Sequence, residues 1–94
     1  MNKSDLIPVV TQEECAEVIQ AISKVFRFGL NQLHPTTGVS NKEQLEEEIG
    51  QLVYMLGQLT ALWRLDGLNV YEAYEEKGNK LTKYEAYFPD ENAS

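Results

Sequence analysis

The chain has 94 residues, which fits one domain spanning residues 1–94, and a lone chain of this size buries only about 60–65% of its unfolded surface, so self-association would add stability. Fifteen Asp and Glu against eight Lys and Arg leave a formal charge of −7. That balance argues against binding a nucleic-acid polymer, which requires clustered cations to neutralise phosphates.

Residues 1–10 read as an extended lead-in, because Pro8 discourages an early helix. Thr11-Gln12-Glu13-Glu14 has the form of a capping box, and Cys15, Val18, Ile19, Ile22, Val25 and Phe26 follow at helical spacing. Cys15 is the only cysteine. It permits no internal disulfide and, falling on this apolar stripe, is expected to pack as a small hydrophobe. Gly29 closes the helix after Lys24 and Arg27, whose charges suit a helix C-terminus.

Residues 29–40, rich in Gly, Pro, Asn and Thr, predict a loop containing the single histidine, His34, which as an exposed loop residue is expected to be inert. Ser40-Asn41-Lys42-Glu43 is a second capping box opening the longest helix, about 41–65. Leu45, Ile49, Leu52, Val53, Leu56, Leu59, Leu62 and Trp63 give it an apolar face wide enough for more than one neighbour. Gly50 and Gly57 within it suggest close helix approach, since each costs up to ~1 kcal/mol relative to Ala. Asn69, with Glu72, predicts the start of a third helix over about 70–86, stopped by Pro89, and residues 89–94 read as a frayed tail. No stretch approaches the ~20 apolar residues of a membrane span, and the N-terminus lacks the apolar run of a signal peptide. The expectation is a soluble, cytoplasmic, all-α protein, a bundle of three to four helices completed by oligomerisation.

Two stretches carry the chemistry. Glu13-Glu14-Cys15-Ala16-Glu17 and Glu46-Glu47-Glu48-Ile49-Gly50-Gln51 each place acidic or amide groups three residues apart, on one helix face and close to the helix start. Brought together, Glu14, Glu17, Glu48 and Gln51 would form an oxygen-rich cluster, and repelling carboxylates held close call for a hard cation, Mg²⁺ or Mn²⁺. Antiparallel packing is expected to set the two motifs diagonally and a crossed geometry to join them. Taken singly, each motif also fits a solvated helix flank with first-turn glutamates favoured by the macrodipole.

Glu13-Glu14-x-x-Glu17, followed by Glu48-Ile49-Gly50-Gln51 within the run Glu-Glu-Ile-Gly-x-Leu-x-Tyr-Met-Leu, resembles the MazG-type nucleotide pyrophosphohydrolases over about residues 10–88. That family is all-α, binds Mg²⁺ through such acids, and cleaves nucleoside triphosphates to monophosphate and pyrophosphate as a homodimer or homotetramer. The resemblance implies metal ligands at Glu14, Glu17 and Glu48, with Gln51 standing where the family has Asp. It also implies phosphate contacts from Lys77, Asn79, Lys80 and Lys83, which equally fit a charged helix end. Glu13 or Glu17 would take the proton of the attacking water. Phe26, Phe28 and Trp63 are candidates for stacking on a base, with core packing the competing role. Gln51 carries no charge and cannot act as a base, so a non-catalytic nucleotide- or metal-binding regulator is the alternative.

Overall fold

The computed structural model describes residues 1–88 and contains three helices, α1 (Lys3–Phe28), α2 (Asn41–Leu62) and α3 (Gly67–Glu85). The chain is all-α. Its described residues fall into two compact units, 1–64 and one that begins at Leu65 and holds α3. The tail expected at 89–94 lies outside the described residues.

The extended lead-in is replaced by helix, because α1 starts eight residues before Thr11. The start is fixed at Asn2, whose backbone N–H donates to the Asp5 carboxylate at 3.4 Å and whose side-chain oxygen accepts from the Ser4 hydroxyl. Pro8 is accommodated so near the N-terminus that its missing N–H forfeits one early helical bond. Thr11 caps nothing. It is buried, and its hydroxyl donates to Ile7 O, one turn back, at 2.7 Å.

The starts of α2 and α3 follow local cap chemistry. Ser40 Oγ accepts from Glu43 N at 3.1 Å, as the capping box predicts, while Glu43 Oε1 accepts from the Ser40 hydroxyl at 3.1 Å in place of the Ser40 backbone N–H. The α3 cap is Asp66, accepting from Leu68 N at 2.9 Å, and not Asn69. Asp66 comes first in the chain and satisfies an orphan donor of the first turn. At the other end α2 stops at Leu62, where Arg64 takes φ of +49° and diverts the chain.

Helices α1 and α2 pack against each other. The less exposed positions include Ile7, Thr11, Glu14, Val18, Ala21 and Val25 on α1, and Asn41, Leu45, Glu48, Leu52, Met55, Leu59 and Leu62 on α2. Both series step by four and three, the spacing of a helix–helix seam. Two helices alone enclose little, and Ala21 is the one fully buried apolar residue among those described. The residues following eight of these seam positions form a second apolar stripe: Cys15, Ile19, Ile22 and Phe26 on α1, and Ile49, Val53, Leu56 and Trp63 on α2. These side chains are exposed, Phe26 at 89% and Val53 at 63%. Cys15 is exposed with them, against the expectation that it packs inside.

The connection 29–40 is ordered by its own hydrogen bonds. Leu33 and Ser40 form an antiparallel bridge, flanked by His34 N to Val39 O at 2.8 Å and Asn41 N to Gln32 O at 3.0 Å. Gly29 and Gly38 adopt φ of +88° and +74°, which only glycine takes without strain. Asn41 Nδ2 ties the hairpin to the end of α1 by donating to Gly29 O at 2.9 Å.

Helix α3, in the second unit, is exposed throughout its length and carries Tyr71 stacked on Tyr74 at 6.4 Å between centroids. No helix among the described residues is long and apolar enough to cross a membrane.

The close helix approach expected at Gly50 and Gly57 is absent, since a Cβ built at either meets nothing within 4 Å. Gly57→Ala is therefore expected to raise stability by about 1 kcal/mol through helix propensity alone. Urea unfolding checks this, and a fall in the midpoint would show that another chain lies against Gly57.

Candidate metal centre

Helices α1 and α2 run antiparallel, and this arrangement brings the two acidic motifs together instead of separating them. Glu17 meets Glu48 and Glu14 meets Gln51, so one motif is read upward as the other is read downward. Glu14, Glu17 and Glu48 each offer an oxygen, and the three oxygens lie within 4.8 Å of one another. Glu14 and Glu48 occupy seam positions, Glu48 buried and Glu14 half-buried, whereas Glu17 is exposed at the edge.

Supporting contacts hold the cluster. Gln44, one turn before Glu48, donates from Nε2 to Glu48 Oε1 at 2.7 Å. The Gln51 amide, oriented to satisfy its partners, donates to Glu14 Oε2 and Glu48 Oε2, 3.2 Å each. Turned over, it places its oxygen at those same positions and donates to Glu47 Oε1 at 3.5 Å. Gln51 can thus either bridge two carboxylates as a donor or join them as a fourth oxygen.

The donor set fits a hard divalent cation. Octahedral Mg²⁺ with ligands at about 2.1 Å keeps its ligand oxygens about 3–4.2 Å apart. A separation of 4.8 Å must shorten by about 0.6 Å to span trans positions and by about 1.8 Å to span cis ones, and the exposed side chain of Glu17 has room to make that movement. Three carboxylates and one amide oxygen leave the remaining coordination positions to water or to a ligand's own oxygens.

Mutual repulsion is already visible in the protonation of Glu17. Its carboxyl is held above the ordinary value of 4.5, first by a hydrogen bond shared with Glu48. The negative charges of Glu48 and Glu14 come next, followed by partial loss of water and the charge of Glu13. Glu13 stands outside the trio of ligand oxygens, yet its charge reaches Glu17.

Hollows flank the seam. One of about 580 Å³ is lined by Glu14, Glu47, Gly50, Gln51 and Tyr54, and one of about 240 Å³ by Glu17, Gln20, Lys24, Gln44 and Glu48. Lys77, Asn79, Lys80 and Lys83 all lie on α3, where Lys77, Asn79 and Leu81 line a hollow of about 440 Å³ within the second unit. Of the candidate stacking residues, Phe28 lies under the Arg27 guanidinium, 4.9 Å from its ring centroid, while Phe26 and Trp63 fall on the exposed apolar stripe. Sequence reasoning passed over Gln44, whose signal was its position four residues before Glu48. Comparison with known proteins finds no family model, curated protein or solved structure that matches this chain.

Because the folded-state pKa of Glu17 exceeds 4.5, the folded protein binds more protons than the unfolded chain as pH rises above that value. Its contribution to stability accordingly falls as pH rises from 4.5 through the raised pKa. Thermal melts of metal-free protein between pH 4 and 7.5 are expected to show a shallower loss in Glu17→Gln than in the parent chain. Parallel curves would place Glu17 outside the cluster.

Proposed function

We propose that the chain is a Mg²⁺-dependent nucleoside triphosphate pyrophosphohydrolase of MazG type, working in the cytoplasm, with Mn²⁺ as an alternative ion. The observation that supports this reading most is the convergence of Glu14, Glu17 and Glu48 within 4.8 Å, in a seam that ordinarily holds apolar side chains. Carboxylates at seam positions weaken a helix pair, so a ligand that uses them is the simplest reason for their placement. The ion would neutralise phosphate charge and orient the attacking water.

The chain's own groups divide the remaining work. Glu14 and Glu48 are held by the seam and supply fixed oxygens, while Glu17 can swing at its edge. Glu13, outside the trio, is the carboxylate left to accept the water's proton as the bond between the α- and β-phosphates breaks. The products are the nucleoside monophosphate and pyrophosphate.

Gln51 favours a second reading, a nucleotide- or metal-binding regulator without turnover. Its amide satisfies Glu14 and Glu48 in the absence of an ion and adds no charge when one is present. Incubating a panel of deoxynucleoside and ribonucleoside triphosphates with protein and Mg²⁺, then separating products by anion exchange, distinguishes the two. Conversion to monophosphate plus pyrophosphate, abolished by Glu48→Ala, is the expected result. Binding without conversion establishes the regulator. Gln51→Asp is expected to tighten Mg²⁺ binding about tenfold, equivalent to ~1.4 kcal/mol.

Self-association supports the same site. In an antiparallel pair, the residues that follow seam positions fall on one side, so the exposed stripe Ile19, Ile22, Phe26, Ile49, Val53 and Leu56 is a single apolar face. Glu13, Glu17, Gln20 and Gln51 lie toward the other side. Two such pairs joined through their apolar faces make a four-helix bundle with the carboxylates left accessible. Light scattering is expected to return the mass of a dimer or tetramer, and Phe26→Asp to lower it. A monomeric parent chain would remove this part of the proposal.

A further inference from the structure

A cavity of about 460 Å³ lies between the C-terminal half of α1 and the 29–40 hairpin. Its size is that of a small-molecule site. Lys24, Arg27, Phe28, Gln32, His34 and Asn41 are among the residues that line it. The lining holds two cations and no carboxylate, in a chain with fifteen acidic residues and eight basic ones. Among the described residues the one ion pair is Lys42 with Glu46, at 3.4 Å, so Lys24 and Arg27 have no acidic partner.

The cavity adjoins the carboxylate cluster. Gln20 and Lys24 line both it and the hollow that contains Glu17 and Glu48. Glu17, Gln20, Lys24 and Arg27 step by three and four along α1, and at 1.5 Å per residue the stripe is about 15 Å long. One end is an oxygen cluster suited to a cation, the middle is positively charged, and the far end is an aromatic and amide-lined cup.

The cup is preorganised. His34 Nδ1 accepts from Thr36 N at 3.1 Å and Thr37 N at 3.2 Å, which leaves Nε2–H as a fixed donor. Gln32 O accepts from Asn41 N at 3.0 Å, holding the wall in place while the Gln32 side chain remains available. Arg27 packs over the Phe28 ring, which limits the guanidinium's freedom. A fixed donor, free amides, an aromatic ring and unpaired cations together suit a planar heterocycle attached to a phosphate.

We propose that this cavity binds the base and sugar of a nucleoside phosphate, with Lys24 and Arg27 receiving its phosphate charge. The proposal rests on the reading that the chain handles nucleoside phosphates. It assigns the cationic contacts to α1, in the same unit as the carboxylates, in place of Lys77, Lys80 and Lys83 on α3. Substrate choice then depends on Gln32 and His34, which face the cavity from the hairpin.

The test uses the full-length chain, isotope-labelled, in EDTA, so that the carboxylate cluster plays no part. Nucleoside monophosphates are expected to shift the amide resonances of residues 27–41 and the His34 ring, with one base preferred. Inorganic phosphate at equal concentration is expected to move only the resonances around Lys24 and Arg27. Lys24→Gln/Arg27→Gln changes only exposed side chains, and is expected to weaken monophosphate binding at least about tenfold while Mg²⁺ alone still shifts the resonances of the carboxylate cluster. Gln32→Ala is expected to erase the base preference without that loss. Absence of shifts with every monophosphate, or shifts identical to those from inorganic phosphate, would overturn the proposal. Mg²⁺ titrated separately reports on the carboxylates, so loss of that response with monophosphate binding intact would sink the hydrolase reading alone.

Discussion

Two carboxylates seated in a helix–helix seam are the constraint on which the structure turns. Glu14 and Glu48 occupy positions that a four-and-three spacing would ordinarily fill with Leu or Val. A charge placed there loses water and must recover hydrogen bonds or a counter-ion. Gln44 and Gln51 supply hydrogen bonds from the adjacent turns, and Glu17 relieves part of the remaining repulsion by holding a proton more tightly. The helix pair is thereby compatible with its own acids in the absence of an ion, and the same groups suit one when it arrives.

That seam also divides the helix pair into two chemically different sides. Around the middle of the pair the residues that follow seam positions, such as Ile19, Ile22, Ile49 and Val53, are apolar and uncovered, and those that precede them, among them Glu13, Glu17 and Gln20, are polar. A ligand and a second copy of the chain can therefore be accommodated without competing. The nearly empty core of the pair, with Ala21 alone fully buried among apolar side chains, follows from the same division. Apolar area sufficient to hold the structure has been placed outside the pair instead of within it.

The all-α class and the start of α2 were legible because Ser40 and Glu43 sit at a spacing with one strong local meaning. The acidic cluster was legible for the same reason: Glu-x-x-Glu and Glu-x-x-Gln place their groups on one face whatever the helices pack against. What failed depended on information from elsewhere in the chain. Pro8 reads as a barrier, and only the competing cap at Asn2 makes it a tolerated early helical residue. Thr11 looks like a cap until the helix is seen to begin before it. The antiparallel register that joins the motifs is set by the hairpin and by packing between helices, neither of which leaves a periodic trace. Lys24, Arg27 and His34 were visible only as a helix end and a loop, because the cavity that unites them exists only once the hairpin folds back.

A seam that repeats every seven residues has a weakness: α2 could slide along α1 by one full repeat and still set apolar side chains against apolar side chains. The polar members remove that ambiguity. After such a slip Glu48 would leave Glu17 and Gln51 would leave Glu14, so the hydrogen bonds that reach between the helices at this layer would be lost. The clustered acids are thus also the marks by which each helix finds its place on the other, and a mutation that swapped all of them for leucine would strengthen the contact while loosening its definition.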